Sequence, residues 1–512
     1  MMKPAYCLAA VTAAFLSSSL AQAQPQSWTS VGGNAQSNGL VSVVGPDAPD
    51  VLWEGGELSW IPWQPFIEGR RVFLVRQNEF PSNLDPLIAD PTDAPIIALD
   101  LDTGAELWRA HIPYEPGNWT TWIAGVSNGR IFASRSGNGG SRNAPLYCLD
   151  AATGAILWNT AGASPARSEI ASGTYNGAVF APNGDPVIAS PQYLDRYDAL
   201  TGARLWRTPR VAQVWEYAGA AIFGNAVYVA DLVNGINRLK RFNLTTGAFE
   251  YQGPAMVGGN LENAPFVGLD GRIYVTRAQN NDDRFDFLYS FTDTGTEIVE
   301  NWRTPAHGGG AAARWGVGPD GSIYSMSWTG TQPFESTGRL QRINPATGLV
   351  VNESTTIIEA GYMQIHMAID QRGVLYVSNG AAGGSFFPSG KIYSFNADLT
   401  ERWVVSTGDN LNQGGPALGT DGTLVVAGPN NNIWAYRTIR TQACGPSDVA
   451  GPGQSIGSDN ALTADDIIVF LNWFFASDAR ADVAGPGQST TPDRQFTADD
   501  IIVFLNRFFA GC

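Results

Sequence analysis

Leu99-Asp100-Leu101-Asp102-Thr103-Gly104-Ala105-Glu106-Leu107-Trp108 returns as Leu149-Asp150-Ala151-Ala152-Thr153-Gly154-Ala155-Ile156-Leu157-Trp158 and again as Tyr197-Asp198-Ala199-Leu200-Thr201-Gly202-Ala203-Arg204-Leu205-Trp206. Three copies of one ten-residue phrase are an internal repeat, and such a repeat governs the fold of the chain that contains it. Degenerate copies follow at 242–251, around Thr294-Gly295, at 343–348 and at 395–403, where the Thr-Gly is lost.

A second signal precedes each phrase. Asn128-Gly129, Asp270-Gly271, Asp320-Gly321 and Asp421-Gly422 each lead into an alternating strand, and such pairs accept the positive φ that a short hairpin needs. With weaker copies included, the turn glycines are Gly69, Gly129, Gly177, Gly224, Gly271, Gly321, Gly373 and Gly422, at successive spacings of 60, 48, 47, 47, 50, 52 and 49 residues. Eight units of about fifty residues, each reading as four short antiparallel strands, predict an all-β, eight-bladed β-propeller. The Thr-Gly makes the turn between the last two strands of a unit. The aromatic after it is expected to fill the ~10 Å gap between stacked sheets, which makes Trp53, Trp108, Trp158, Trp206, Tyr251 and Trp403 the blade-docking residues. The last unit stops at 432–436 without a Trp strand of its own. Val51-Leu52-Trp53-Glu54 is expected to supply that strand, closing the ring and removing two open sheet edges.

Composition agrees with this reading and excludes others. The chain has 512 residues, 44% hydrophobic and 15% charged, too apolar for a disordered protein. Acids outnumber bases 47 to 31, so a nucleic-acid partner is not expected. Residues 1–23 carry Lys3, an apolar stretch from Ala9 to Leu20 and small residues at Ala21 and Ala23, the pattern of a cleaved secretory signal. No stretch approaches the ~18 uninterrupted apolar residues of a transmembrane helix. An exported protein, located in the periplasm, at the cell surface or outside the cell, is therefore expected.

The repeats, together with Trp28, Gly33-Asn34 and Gly39 ahead of them, resemble the pyrroloquinoline-quinone (PQQ) β-propeller repeat family, whose docking motif ends in Thr-Gly-x-x-x-Trp. The resemblance places a PQQ-like eight-bladed propeller at 24–440. That family includes quinoprotein dehydrogenases and non-catalytic scaffolds such as the outer-membrane assembly propeller, so the fold leaves activity open. Seven or eight residues before the turn glycines, the strands lining the central channel offer Trp122, Glu169, Glu216, Tyr217, Asn263, Arg314 and His366, with Trp63 and Trp315 nearby, as a ligand funnel. A PQQ-dependent alcohol or sugar dehydrogenase would put a quinone and Ca²⁺ there. The chain lacks the adjacent cysteine pair common in those enzymes, and PQQ is not expected. Glu169 and Glu216 also allow a carbohydrate-binding or carbohydrate-cleaving propeller. Gly125-Val126-Ser127-Asn128-Gly129 has the spacing of a nucleophile elbow, but Ser127 falls in an inter-strand turn where that chemistry needs a strand-to-helix turn.

After Arg440 the composition changes. Cys444 to Cys512 holds nine Asp and three Arg, and it repeats itself at an offset of 34 residues: Asp448-Val449-Ala450-Gly451-Pro452-Gly453-Gln454 returns as Asp482-Val483-Ala484-Gly485-Pro486-Gly487-Gln488. In each copy a Thr followed three residues later by Asp opens an apolar run, so Thr463 and Thr497 are expected helix N-caps. Ile467, Leu471 and Phe474, like Ile501, Leu505 and Phe508, fall on one helix face and are expected to bury against each other. Residues 441–512 resemble a GC-type dockerin, an anchoring module of two calcium-loop-plus-helix repeats named for a terminal Gly-Cys, here Gly511-Cys512. The resemblance implies Ca²⁺ held by Asp448, Asp459, Asp466, Asp482, Asp493 and Asp500, and a cohesin-type or other cell-surface partner. Ala450, Pro452, Ala484 and Pro486 depart from it, standing where ordinary dockerins place ligand oxygens. Cys444 and Cys512 bracket the module, where a disulfide would clasp its ends, and Cys148 reads as a buried small hydrophobe. The expected function is a non-enzymatic binding or assembly propeller, with an unknown ligand or protein at its mouth, displayed through a dockerin-like anchor.

Overall fold

A computed structural model of the chain describes residues 28–56, 59, 64–76, 94–113, 120–137, 144–160, 177–190, 192–211, 219–234, 236–256, 261–262, 264–278, 287–305, 315–327, 336–360, 366–379, 390–407, 414–428, 433–438, 444–459 and 461–511. The chain forms two compact units, Met1–Arg437 and Thr438–Cys512.

The first unit is an all-β propeller of eight antiparallel blades. Blade 1 runs Phe66–Glu68, Arg71–Val75, Ile96–Asp100 and Glu106–Ala110, each strand pairing with the next. Blades 2 to 7 follow at 120–159, 178–209, 221–256, 261–305, 316–360 and 366–406. In blade 5 the innermost strand is interrupted, and Leu261–Glu262 and Phe266–Val267 both pair with Ile273–Ala278. Blade 8 takes three strands from 414–436 and its fourth from Val51–Gly55, with Glu54 opposite Trp434 and Gly55 opposite Ile433. The ring is thus closed by the segment that the missing Trp strand called for. Seven of the eight expected turn glycines lie in the hairpin that follows the innermost strand, with φ between 57° and 82°; Gly177 instead precedes the innermost strand of blade 3, Ala178–Phe180, and the hairpin there is turned by Gly184 at φ 90°. Of these seven turns only Asn128-Gly129 uses positive φ at both residues, 50° and 73°, as a two-residue hairpin does. The Asp-Gly turns instead keep Asp in ordinary space and fold its carboxylate back, as Asp320 Oδ1 accepts from Ser322 N at 2.9 Å.

The repeated phrase has a local cause. Asp150 Oδ1 accepts from Ala152 N at 2.9 Å, Thr153 N at 2.8 Å and Thr153 Oγ1 at 2.9 Å, which closes the turn and sets Gly154 at φ 74°. Asp100 and Asp198 do the same. The Trp of the preceding blade then lies on the turn glycine and donates its indole N–H to a turn carbonyl: Trp53 to Leu101 at 2.9 Å, Trp108 to Ala151 at 3.3 Å, Trp158 to Ala199 at 3.0 Å and Trp206 to Leu244 at 3.1 Å. A Cβ on Gly202 would lie 2.5 Å from the Trp158 ring, so glycine is required by contact as well as by backbone conformation.

Two junctions use other residues. Trp302, which sequence spacing does not single out, docks blade 5 on blade 6 through Pro345 O at 2.9 Å. Trp403 packs at blade 8, which has no Thr-Gly turn, against Tyr376 and Tyr436 with ring centroids 5.9 and 6.3 Å away. Cys148 is a free, buried thiol, and burial pushes it up to about 12.

In the second unit, helices α1 (Ala464–Phe475) and α2 (Ala498–Ala510) start at Thr463 and Thr497, each with a complete capping box closed by Asp466 or Asp500. Phe470 and Phe504 stack at 3.8 Å with planes 11° apart and form the centre of the small core. The buried stripe is centred one residue earlier than Ile467, Leu471 and Phe474. Asp466, Val469 and Phe470 are buried, and those three expected residues pack around them half-buried. The cause is the cap itself, because seating Asp466 inside turns its face of the helix inward. Cys444 is buried and disulfide-bonded, and Cys512 lies outside the described residues.

Gly202→Ala and Gly295→Ala separate contact from conformation, since both glycines have positive φ but nothing lies within 4 Å of a Cβ on Gly295. Gly202→Ala is expected to cost about 2–4 kcal/mol and Gly295→Ala about 1 kcal/mol in equilibrium denaturant unfolding. Equal costs would mean that the Trp158 contact is slack.

Candidate binding surfaces

Each innermost strand pairs on one edge within its blade and turns the other toward the axis. On the side of the ring where the hairpin turns lie, that free edge is taken by the chain's own N-terminal segment. Ile67 N donates to Trp28 O at 3.0 Å, Val126 N to Thr29 O at 2.9 Å, Ile222 N to Ala35 O at 2.8 Å, Val267 N to Gln36 O at 2.9 Å, Val317 N to Asn38 O at 3.0 Å and Ile369 N to Gly39 O at 2.8 Å. Residues 28–43 therefore lace six of the eight blades together across the axis. Buried side chains fix the segment: Asn34 Nδ2 donates to Asn38 Oδ1 at 2.7 Å, and Asn38 Nδ2 to Val267 O at 2.8 Å. A 250 Å³ depression beside it is lined by Asn34, Gln36, Asn38, Ser42 and Gln371, with Leu269 and Pro319.

Of the nine expected funnel residues, three lie among the described residues, and all three are buried. Trp122 is 1% exposed and packs with Phe132 and Phe180 between blades 2 and 3. Trp315 is 2% exposed in the cluster spanning blades 5 to 7. His366 is 2% exposed, its Nδ1 meeting Gln64 Oε1, while Gln64 Nε2 donates to Pro416 O at 2.9 Å. Trp63, Glu169, Glu216, Tyr217, Asn263 and Arg314 lie outside the described residues. Ser127 ends the strand Thr120–Ser127 ahead of the Asn128-Gly129 turn, which is no setting for a nucleophile elbow.

The repeat breaks between blades 4 and 5. Tyr251 occupies the Trp position, and instead of lying on Gly295 it donates its hydroxyl to Asp293 Oδ1 at 2.5 Å. Tyr228 donates to Asp293 Oδ2 at 2.6 Å, and Arg241 Nε lies 2.7 Å from the same oxygen. The gap left over Gly295 is a cleft of about 590 Å³ lined by Phe223, Asn225, Tyr228, Arg241, Arg272 and Asp293. Burial works to raise the Asp293 carboxyl. The two tyrosine hydroxyls, the Gly295 N–H and the Arg241 charge outweigh it and hold the group below its ordinary value. Burial, with the bond to Asp293, raises Tyr228. Two arginines balance the acids here, and the polar groups largely satisfy one another.

In the C-terminal unit the six expected metal ligands turn toward backbone amides. Asp466 Oδ1 accepts from Val449 N at 2.7 Å and Ala450 N at 2.8 Å, and Oδ2 from Thr463 N at 2.7 Å. Asp500 repeats this with Val483 N, Ala484 N and Thr497 N at 2.8, 2.9 and 2.9 Å. Asp448 accepts from Asp459 N at 2.9 Å and Ser458 Oγ at 2.7 Å, and Asp482 from Asp493 N at 3.1 Å and Arg494 N at 2.7 Å. Asp459 and Asp493 each accept from the amide two residues on, at 2.9 Å. Among the described residues no three His, Cys, Asp or Glu side chains converge as a metal cluster would require.

A family model described as the outer membrane protein assembly factor BamB matches residues 92–354, more than half of the chain. No curated protein matches. Two solved structures share the fold: the quinohemoprotein alcohol dehydrogenase of Comamonas testosteroni, at 12% identity and TM-score 0.51, covers 94% of this chain and 90% of its own. A quinohemoprotein alcohol dehydrogenase of Pseudomonas putida HK5, also at 12% identity and TM-score 0.51, covers 95% and 96%.

With the folded Asp293 carboxyl held below its ordinary value, its stabilisation is complete above that value and is lost as pH falls through the folded one. Tyr251→Phe is expected to cost about 1 kcal/mol of unfolding free energy near neutral pH, with the difference from the parent closing as the carboxylate protonates. A difference that stays constant into acid would remove Asp293 from the account.

Proposed function

The chain belongs to the family of the outer membrane protein assembly factor BamB, and we propose from this premise that it is an exported, non-enzymatic binding and assembly propeller displayed through a dockerin-like C-terminal anchor. The observation that carries the reading is the occupancy of the axis. Residues 28–43 take the free edges of six inner strands at the turn side, and the ligand or protein is bound elsewhere on the ring. The seating of Trp122, Trp315 and His366 in blade packing supports a binding surface over a quinone pocket built from the same residues.

Residues 1–23 act as the export signal, and the protein works in the periplasm, at the cell surface or outside the cell. The tail docks on a cohesin-type or other cell-surface protein. Cys444 pairs with Cys512: Cys148 is a free thiol and Cys7 leaves with the signal. Closing a loop of that size stabilises a small module by about 4 kcal/mol, which matters where few residues of the core are fully buried.

Surface plasmon resonance against immobilised cohesin modules is expected to show binding by the full chain and none after deletion of 438–512. The same preparation, supplied with PQQ and Ca²⁺, is expected to show no bound-quinone band and no dye-linked oxidation of alcohols or sugars. Quinone-dependent turnover would replace this reading with a dehydrogenase. Equal cohesin binding without the tail would remove the anchor.

A further inference from the structure

We infer that the C-terminal module is pinned by two buried carboxylates at the place where a calcium-loop module uses its metal, so that its fold does not depend on calcium. The inference rests on loop geometry and stands whichever partner the module docks.

Calcium takes six to eight oxygens, drawn from side chains, carbonyls and water converging on one point. In both loops the side chains at the intermediate positions, Ala450 and Pro452, then Ala484 and Pro486, carry no oxygen. The acids that remain do not converge. Asp466 and Asp500 are 0% exposed, and each gives both oxygens to three backbone N–H groups, two from the start of its loop and one from its helix cap. Turning either carboxylate toward a metal would strand those three amides in the interior, at about 1–3 kcal/mol for each buried donor left unpaired. Two further acids tie the far side of the loops: Asp465 Oδ2 accepts from Gly453 N and Asp499 Oδ2 from Gly487 N, both at 3.0 Å.

The arrangement has the same topology as a metal site with different chemistry. A calcium ion gathers oxygens from loop and helix. Here a carboxylate gathers N–H groups from loop and helix, and the anionic centre sits at the first turn of the helix, where the backbone dipole favours it. The loop starts at 449–450 and 483–484 are thereby fixed to the helix caps at Thr463 and Thr497 without an ion.

Hydrogen–deuterium exchange on the full-length protein tests this, with EDTA and with excess CaCl₂. Protection of amides in Ala464–Phe475 and Ala498–Ala510 is expected to agree within about twofold between the two conditions. Asp466→Asn is expected to lower protection of Ala464–Phe475 by about tenfold or more, because the amide offers one acceptor and brings two donors of its own. Asp459→Asn, at a position the calcium reading needs and the pinned loop uses for one exposed turn, is expected to change it by less than about threefold. Loss of protection in EDTA by about tenfold or more in either helix would overturn the inference, even if Asp466→Asn fails to fold. So would calorimetric uptake of calcium by the full chain that Asp459→Asn abolishes. Cohesin binding is a separate readout, and its absence would leave this result untouched.

Discussion

The propeller depends on one repeated contact, an indole ring lying on a left-handed glycine of the neighbouring blade while its N–H is received by a carbonyl of the same turn. An antiparallel sheet must cover at least one apolar face, and in a ring each face is covered by another blade. What sets the angle between blades is therefore whatever fixes their separation. The Trp does so in two ways: its area fills the gap, and its single polar atom fixes direction. The turn must present a bare Cα and an outward carbonyl together, and the Asp carboxylate that gathers the N–H groups two and three residues on provides that shape. Trp53 extends the contact to the closing junction, so the strand that completes blade 8 also docks it on blade 1.

The N-terminal segment therefore completes the ring twice. Residues 51–55 close its circumference, and residues 28–43 tie the inner edges across the axis. The closing pairing joins residues 378 to 385 apart in sequence and the lacing contacts join residues 39 to 330 apart, so neither set is complete until the last blades exist. The ring is then not a stack of independent repeats but a single cooperative object, in which six of the eight inner strands find a backbone partner in the N-terminal segment.

The sequence showed the ring plainly because its period is long and its punctuation is chemically obligatory: the positive φ at Gly69 through Gly422 is a backbone requirement that composition cannot hide. Trp302 escaped because it stands seven residues after Gly295, where the other phrases place Trp four after Gly, and the longer hairpin of blade 5 absorbs the difference. Tyr251 has the right spacing and the wrong contact, a hydroxyl bonded to Asp293 where a ring on Gly295 was expected. Counting back seven or eight residues from a turn glycine assumes inner strands longer than most of these, which run three residues in blades 1 and 4, and in blade 3 it starts from Gly177, already ahead of the strand Ala178–Phe180. The count therefore reaches past most strands into their connections, and it meets Trp122, Trp315 and His366 inside the packing. The N-terminal lacing had no periodic signal, since each of its residues meets a different blade.

The two units, unrelated in fold, share one chemical device. In the propeller a short acid collects successive backbone N–H groups to shape a turn, and in the tail a short acid collects N–H groups from separate segments to join a loop to a helix. The difference lies in burial. At the exposed turns of blades 4 and 6, Asn243 and Asn344 replace Asp and still accept from two amides, because water serves whatever the amide oxygen leaves. At 466 and 500 three donors converge on a fully buried side chain, and a carboxylate alone offers two oxygens free of competing N–H groups. Much of the acid excess is thus spent inward on the backbone, which is why a strongly anionic composition here says more about turns and caps than about any cation the protein carries.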